Sequence, residues 1–230
     1  MLDLSFNLNF GPDFDRLYKT ALEIKNTKDI SMFYFRDLIR DLGLHDDGCL
    51  VYFEENKYIN AKSGLWQEPS QFASLLSFLC TQKIESYCEI GTYKYWSFVL
   101  ICAALSRNTN NIKAVGVDYM HNPSLEIVQI LKKLNINHIH YTRESNYIKD
   151  QVFDLVFIDA DHAYEPTKKD WENVGQFSKI CLFHDINHKW IKECPRDQDG
   201  PRRVFEELEG AKITFTTNNP VMGIGVVFPK

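Results

Sequence analysis

Apolar residues recur along the chain with two different periods. Before about residue 65 the spacing is helical: FDRLYKTALEIK places Phe14, Leu17, Ala21, Leu22 and Ile24 together, and DISMFYFRDLIRDLGL reads as a second helix with Asp29 as its cap and Gly43 as its stop. From GLWQEPSQFASLLSFL onward, short β-type runs alternate with helical stretches, the pattern of a mainly parallel sheet covered on both faces. Strands are expected at SYCEI (86–90), IKAVGVD (112–118), HIHYT (138–142), FDLVFID (153–159) and KICLFHD (179–185), with helices at about 95–106, 123–134 and 164–177. A helix near RRVFEELEG then leads to AKITFTT and VMGIGVVF, joined by NNP, which read as a closing antiparallel pair. The expected architecture is α/β, with an N-terminal helical cap over residues 1–64 and a wound sheet domain over 65–230.

Composition narrows the classes without naming a chemistry. The 230 residues are 44% hydrophobic and 25% charged, enough apolar surface to build a core, which excludes a disordered chain. Twenty-six Lys and Arg against 31 Asp and Glu leave a net charge of −5, so no positive field is available for general nucleic-acid binding. No apolar run approaches the roughly 20 residues that span a bilayer, and MLDLSFNLNFGPDFD lacks the basic-then-apolar order of a secretory signal. The six cysteines (Cys49, Cys80, Cys88, Cys102, Cys181, Cys194) show no C-x-x-C spacing, and four lie in apolar segments, which fits a reducing, cytoplasmic compartment. Cys181 near His184 reads as a small apolar strand residue in preference to a nucleophile with its base.

The chemistry gathers where the strands end. In a sheet of this kind ligands sit outside the carboxyl ends of the strands, near the point where strand order reverses. Those ends carry Glu89 and Gly91, then Asp118, then Arg143, Glu144 and Ser145, then Asp159, Asp161 and His162, and finally His184 and Asp185. In EIGTYKYWS, Gly91 lets the chain turn sharply and a ligand approach the backbone, and Asp118 can accept the two ribose hydroxyls of an adenosine ligand. The string VFIDADHAYEPTKKDW puts Asp159, Asp161 and His162 within four residues; Asp161 can alternatively cap its own turn. If the fourth and fifth strands are neighbours, LFHDIN brings His184 and Asp185 beside Asp159, so that two carboxylates could share one cation, Mg, Mn or Ca, with a histidine near as a base.

The order EIG…GVD…FIDADHAYE…KKDW…FHD, from about residue 65 to the end, resembles the class I S-adenosylmethionine-dependent methyltransferases. Within them it is most similar to the branch of macrolide sugar O-methyltransferases and cephalosporin hydroxylase-like proteins, whose pattern corresponds here to Glu89, Gly91 and Ser97, then Asp159, Asp161, His162, Tyr164, Glu165 and Asp170, then His184 and Asp185. The resemblance implies a Rossmann-like, seven-stranded, mainly parallel sheet with a C-terminal antiparallel hairpin. It also implies S-adenosylmethionine (SAM) contacts from Glu89, Gly91, Thr92, Tyr93, Ser97, Asp118 and Asp159, with the adenine near Glu144 or Ser145. Asp159 and Asp185 are the implied ligands of Mg (or Mn), and His184, His162 or Asp159 the implied base. The implied reaction is O-methylation of a small-molecule or glycan hydroxyl. One position departs from the pattern: Tyr95, followed by Trp96, stands where a glycine is usual, and the cofactor loop stays open only if that ring points away.

Three other readings remain. A D-x-D nucleotide-sugar glycosyltransferase would use Asp159 and Asp161 on a metal, and a catalytically inactive methyltransferase-like binding protein would have Tyr95 filling its loop. A nicotinamide enzyme lacks its fingerprint, because Gly91 is followed by Thr92 and Tyr93. Trp66 in GLWQEPSQF belongs either at the pocket mouth or in the packing of the cap. The run MFYFRDLI is either a subunit contact of a homo-oligomer or ordinary core.

Overall fold

A computed structural model describes residues 12–40, 42, 65–187, 199–217 and 222–230. In chain order the elements are α1 (Pro12–Asn26), α2 (Met32–Arg40), α3 (Pro69–Leu79), β1 (Ser86–Ile90), α4 (Trp96–Leu105), β2 (Lys113–Val117), α5 (Leu125–Lys133) and β3 (Asn137–Tyr141). They continue as β4 (Leu155–Ile158), α6 (Tyr164–Asn173), β5 (Ile180–His184), α7 (Gly200–Glu207), β6 (Ala211–Phe215) and β7 (Ile224–Phe228). The seven strands form one sheet in the order β3-β2-β1-β4-β5-β7-β6, and β7 alone runs against its neighbours. All seven expected strands form, each within three residues of its expected limits. The central strands were legible because SYCEI, LVFI and ICLFH are nearly continuous apolar runs, and a strand covered on both faces needs no polar alternation.

Helix α4 shows why a purely apolar stretch became a helix here. All ten residues of WSFVLICAAL are buried, because the sheet covers one side and α1 the other. Leu17, Ala21 and Ile24 of α1 are fully buried in the same cluster as α4, and burial of Leu17 and Ile24 stabilises by about 1.5–3 kcal/mol each. Arg107, just beyond α4, closes the C-terminal end of α1: its guanidinium donates to the carbonyls of Ile24 (2.6 Å), Lys25 (3.2 Å) and Thr27 (2.7 Å). The described part of the helical cap is thus fastened to the sheet domain through one shared core.

Two local expectations are corrected. Asp29 does not cap α2; its carboxylate accepts from Ser31 N–H at 2.8 Å, and Ser31 Oγ in turn accepts from Tyr34 N–H at 3.3 Å, so Ser31 is the cap. The expected helix 164–177 ends at Asn173, and Gly175–Phe177 follows as a 3-10 turn. Gly43 lies outside the described residues, as do Cys49 and Cys194. Of the run MFYFRDLI, Phe35 and Ile39 are buried while Phe33 is 61% exposed, so the run is partly core and partly surface. The four described cysteines, Cys80, Cys88, Cys102 and Cys181, are free and buried. Cys181 lies in the core, where burial pushes its thiol well above the ordinary value, as expected for an apolar filler. No helix among the described residues is long and apolar enough to cross a membrane.

Candidate functional site

Strand order reverses between β1 and β4, and the candidate site is built on that gap. In-register pairing sets Ile90 beside Val117 and Ile158, so the chain leaves β1, β2 and β4 at the same level. Gly91 then adopts φ +90°, and its N–H donates to Val117 O at 2.8 Å while Asp159 N–H donates to Ile90 O at 2.9 Å. A Cβ on Gly91 would lie 2.5 Å from the Asp159 carbonyl carbon and 2.6 Å from Ala160 Cα, so only glycine lets the two loops pass.

The loop after Gly91 continues under strain, with Tyr93 at φ 44° and Tyr95 at φ 68°. What holds it is Asp118, which is 8% exposed. Its Oδ2 accepts from Tyr93 N–H at 2.8 Å, and its Oδ1 accepts from the N–H groups of Met120 (2.8 Å) and His121 (2.9 Å), with His121 Nδ1 at 3.2 Å. One carboxylate therefore ties the β1 loop to the β2 loop. Asp118 is expected from the sequence as a ribose contact, and this cross-linking task is not legible there.

Glu89 lies beneath the loop, fully buried, accepting from the Tyr87 hydroxyl and from Ser97 Oγ at 2.7 Å. Burial pushes its carboxyl up to about 8, against the pull of the two hydrogen bonds. Glu89 and Ser97 thus brace the start of α4 from below. Thr92, 2% exposed, is also turned inward.

The Tyr95 question has a clear answer. Its ring is 1% exposed and packs against Phe98, with its hydroxyl on His140 Nδ1. It lies over Gly116 of β2, where a Cβ would sit 2.8 Å from the ring. The side chain points into the core between α4 and the sheet, away from the loop mouth. The glycine missing at position 95 has its counterpart in the glycine at 116, which leaves the ring its space.

Of the two positions proposed for the adenine, Ser145 is 3% exposed and its hydroxyl accepts from Asn173 Nδ2 at 2.9 Å, whereas Glu144 is exposed. Asp170, also on α6, is 9% exposed, and its burial raises its carboxyl to about 6. Tyr93 packs edge-on against Trp66 (6.4 Å) and against His121 (5.0 Å), which puts Trp66 at the loop mouth.

At the other side of the gap β4 and β5 are parallel neighbours, as the cation argument required. Asp159, His162 and Asp185 each offer a donor atom, and these atoms lie within 4.8 Å of one another. His162 Nε2 is 3.0 Å from Asp185 Oδ2. His184 Nδ1 lies between Asp159 Oδ1 (3.1 Å) and Asp185 Oδ2 (3.2 Å). Burial alone would lower both imidazoles, but the facing carboxylates outweigh it and raise His162 above its ordinary value and His184 well above. The same pairings outweigh burial at Asp185 and lower its carboxyl.

This geometry changes the role expected of His184. Its side chain is 4% exposed, its Nδ1 is shared by two carboxylates, and its Nε2 is buried without a partner among the described residues. It is a clamp between Asp159 and Asp185, with no lone pair turned to an acceptor. His162, 36% exposed, is the histidine at the mouth. Asp161 stands apart from the cluster; it is exposed and accepts from Ala163 N–H at 2.9 Å, closing its own turn ahead of α6. The residue that sequence reasoning missed is Gln67, whose Nε2 donates to Asp159 Oδ2 at 2.7 Å. Its only signal was an amide beside Trp66 in an otherwise apolar approach to α3.

The donor set fits a divalent cation. Two carboxylates and an imidazole suit Mn, and the carboxylates alone suit Mg. The proton on His184 now balances the two carboxylates that such an ion would balance.

Comparison with known proteins agrees with the fold. Residues 88–186 match a family model described as a methyltransferase domain. The chain is similar in structure to the O-methyltransferase of Streptomyces achromogenes involved in tomaymycin synthesis, in complex with SAM (TM-score 0.54, 12% identity, covering 94% of this chain and 96% of that one). It is also similar to a SAH-bound methyltransferase of Podospora anserina (TM-score 0.51, 16% identity, 97% and 98% covered). A third is an O-methyltransferase of Bacillus cereus in complex with SAH (TM-score 0.51, 17% identity, 81% and 98% covered). No curated protein matches the sequence. Over residues 88–186 the chain is thus similar to a methyltransferase domain, and its fold is the Rossmann-like, seven-stranded fold of those structures.

Proposed function

We propose that this chain is a methyltransferase that transfers the methyl group of SAM to a hydroxyl of a small molecule or glycan, with a divalent cation beside the acceptor. The observation that carries the reading is the meeting of Asp159, His162 and Asp185 next to the Gly91 turn, so that a cation site and a cofactor loop share one backbone contact. SAM lies over the Gly91–Tyr95 loop, with Asp118 facing its ribose through the lone pairs that the loop amides leave free.

Asp159 and Asp185 hold the cation. It supplies Lewis-acid polarisation of the acceptor hydroxyl when bound. His162, oriented by Asp185 through Nε2, presents Nδ1 to take the hydroxyl proton. Glu89, Ser97 and Asp118 keep the loop in one shape, so that positioning lowers the barrier for in-line transfer. The core placement of Tyr95 favours an active site over a catalytically inactive fold, and the engagement of Asp161 in its own turn weakens a D-x-D glycosyltransferase. The four buried free thiols support a reducing, cytoplasmic setting.

Calorimetric titration of the full chain with SAM and SAH, with and without Mn or Mg, tests the reading. Micromolar binding of both ligands is expected, with loss on Asp118→Ala, which removes the loop anchor together with the ribose acceptor. No binding at millimolar SAM by the folded chain would overturn it.

A further inference from the structure

The approach to α3 lies outside the matched domain and was notable in the sequence only for Trp66. Leu65, Gln67 and Glu68 are buried. Glu68 has an ordinary reason, because its carboxylate accepts from the N–H groups of Ser70 (3.1 Å) and Gln71 (2.7 Å) and so caps α3, with Pro69 in the first turn. Gln67 has no such local task. It is 3% exposed, and its amide nitrogen reaches a carboxylate 92 positions away.

Its amide oxygen, Oε1, is buried with no hydrogen-bond partner among the described residues. A buried acceptor left unmet is destabilising, a cost that a leucine in the same space would not carry. Among the described residues of this region, His184 Nε2 and Thr92 Oγ1 are also buried without a partner. Asp159 is held on Oδ1 by His184 and on Oδ2 by Gln67, so both side chains that grip it keep one buried polar atom unused. An unmet buried acceptor on a side chain that grips Asp159 marks a place whose polar occupant is still to come.

We propose that Gln67 is a positioning residue of the cation site, an inference that rests on the metal-assisted reading above. Nε2 fixes the Asp159 carboxylate by its Oδ2. Oε1 accepts a hydrogen bond from the O–H group, water or acceptor hydroxyl, that arrives with the ion. Trp66 stands beside the loop mouth on the same segment, so the chain ahead of α3 forms a wall of the acceptor pocket.

Mn2+ titration of the full chain followed by electron paramagnetic resonance reads this without turnover. Gln67→Leu, which keeps the volume and removes both amide atoms, is expected to weaken Mn2+ binding by roughly tenfold or more, the usual effect of losing a group that orients a ligand. Gln67→Glu is expected to bind Mn2+ at least as tightly as the wild type, with a larger Mn2+-induced rise in Tm, because its carboxylate is repelled by Asp159 until a cation arrives. The proposal is overturned if Gln67→Leu binds Mn2+ within twofold of wild type, or if Gln67→Glu loses Mn2+. Should Gln67→Leu fail to fold, Gln67→Glu decides alone. A wild type that binds no Mn2+ at all overturns the cation reading together with this one.

Discussion

Glu89 offers a quantitative test of how the loop is braced. Its carboxyl is pushed from an ordinary 4.5 up to about 8, with burial as the largest cause. Over the interval between those values the folded chain keeps a proton that the unfolded chain has released. The stability that comes with this proton is complete below about pH 4.5 and is lost as pH rises through about 8. At ~1.36 kcal/mol per pH unit the interval corresponds to about 5 kcal/mol. Glu89→Gln cannot ionise, yet it keeps an oxygen for Ser97 and presents an amide to the Tyr87 hydroxyl, which can turn to accept it. Asp170, raised to about 6, changes stability in the same direction, but it is common to both proteins and cancels in their difference.

Urea unfolding of wild type and Glu89→Gln at intervals from pH 5 to 9, in chelator and without cofactor, measures that difference directly. Wild type should lose ground to the variant steadily up to about pH 8 and then stay level, with a total change of about 3–5 kcal/mol. Parallel curves would refute the buried, proton-bearing Glu89.

Two further substitutions probe the backbone of the site. Gly91→Ala drives a methyl into the Asp159 peptide at a positive φ, and is expected to cost upward of about 3 kcal/mol in urea unfolding and to abolish SAM binding in any fraction that folds. Gly116→Ala places its Cβ 2.8 Å from the Tyr95 ring and should cost about 1–3 kcal/mol, but much less in a Tyr95→Leu background. Additive costs in that double-mutant cycle would mean that Tyr95 does not occupy the space above Gly116.

What was legible in the sequence was what depends on near neighbours. The strands and their carboxyl ends could be read because apolar runs and the acids that follow them are local signals. Contacts across long separations were not legible. The direction of Tyr95 depends on Gly116 and His140, on two other strands. The grip of Gln67 depends on a carboxylate that only the fold brings near. His184 looked like a base because histidine beside aspartate does in any sequence; its clamp role needs Asp159 on the adjacent strand and burial on all sides. Asp161 completed an attractive D-x-D string, yet the turn into α6 claims its carboxylate through Ala163 N–H.

The same long-range contacts bear on how a methyl transfer could be aligned here. Asp118 joins the β2 loop to the β1 loop, Gly91 joins the β1 loop to the Asp159 backbone, and Gln67 joins Asp159 to the segment ahead of α3. On the proposed reading, the donor sits on the first of these joints and the acceptor on the last, with only close backbone passages and buried hydrogen bonds between them. The distance from the methyl carbon to the acceptor oxygen is then set by packed backbone rather than by mobile side chains. An ångström of error at that distance costs about a hundredfold in rate, so rigidity at Gly91 matters as much as the identity of any ligand. It follows that damage at Gly91 should impair cofactor and cation binding together, whereas damage at Asp118 should impair the cofactor first and damage at Gln67 the cation first.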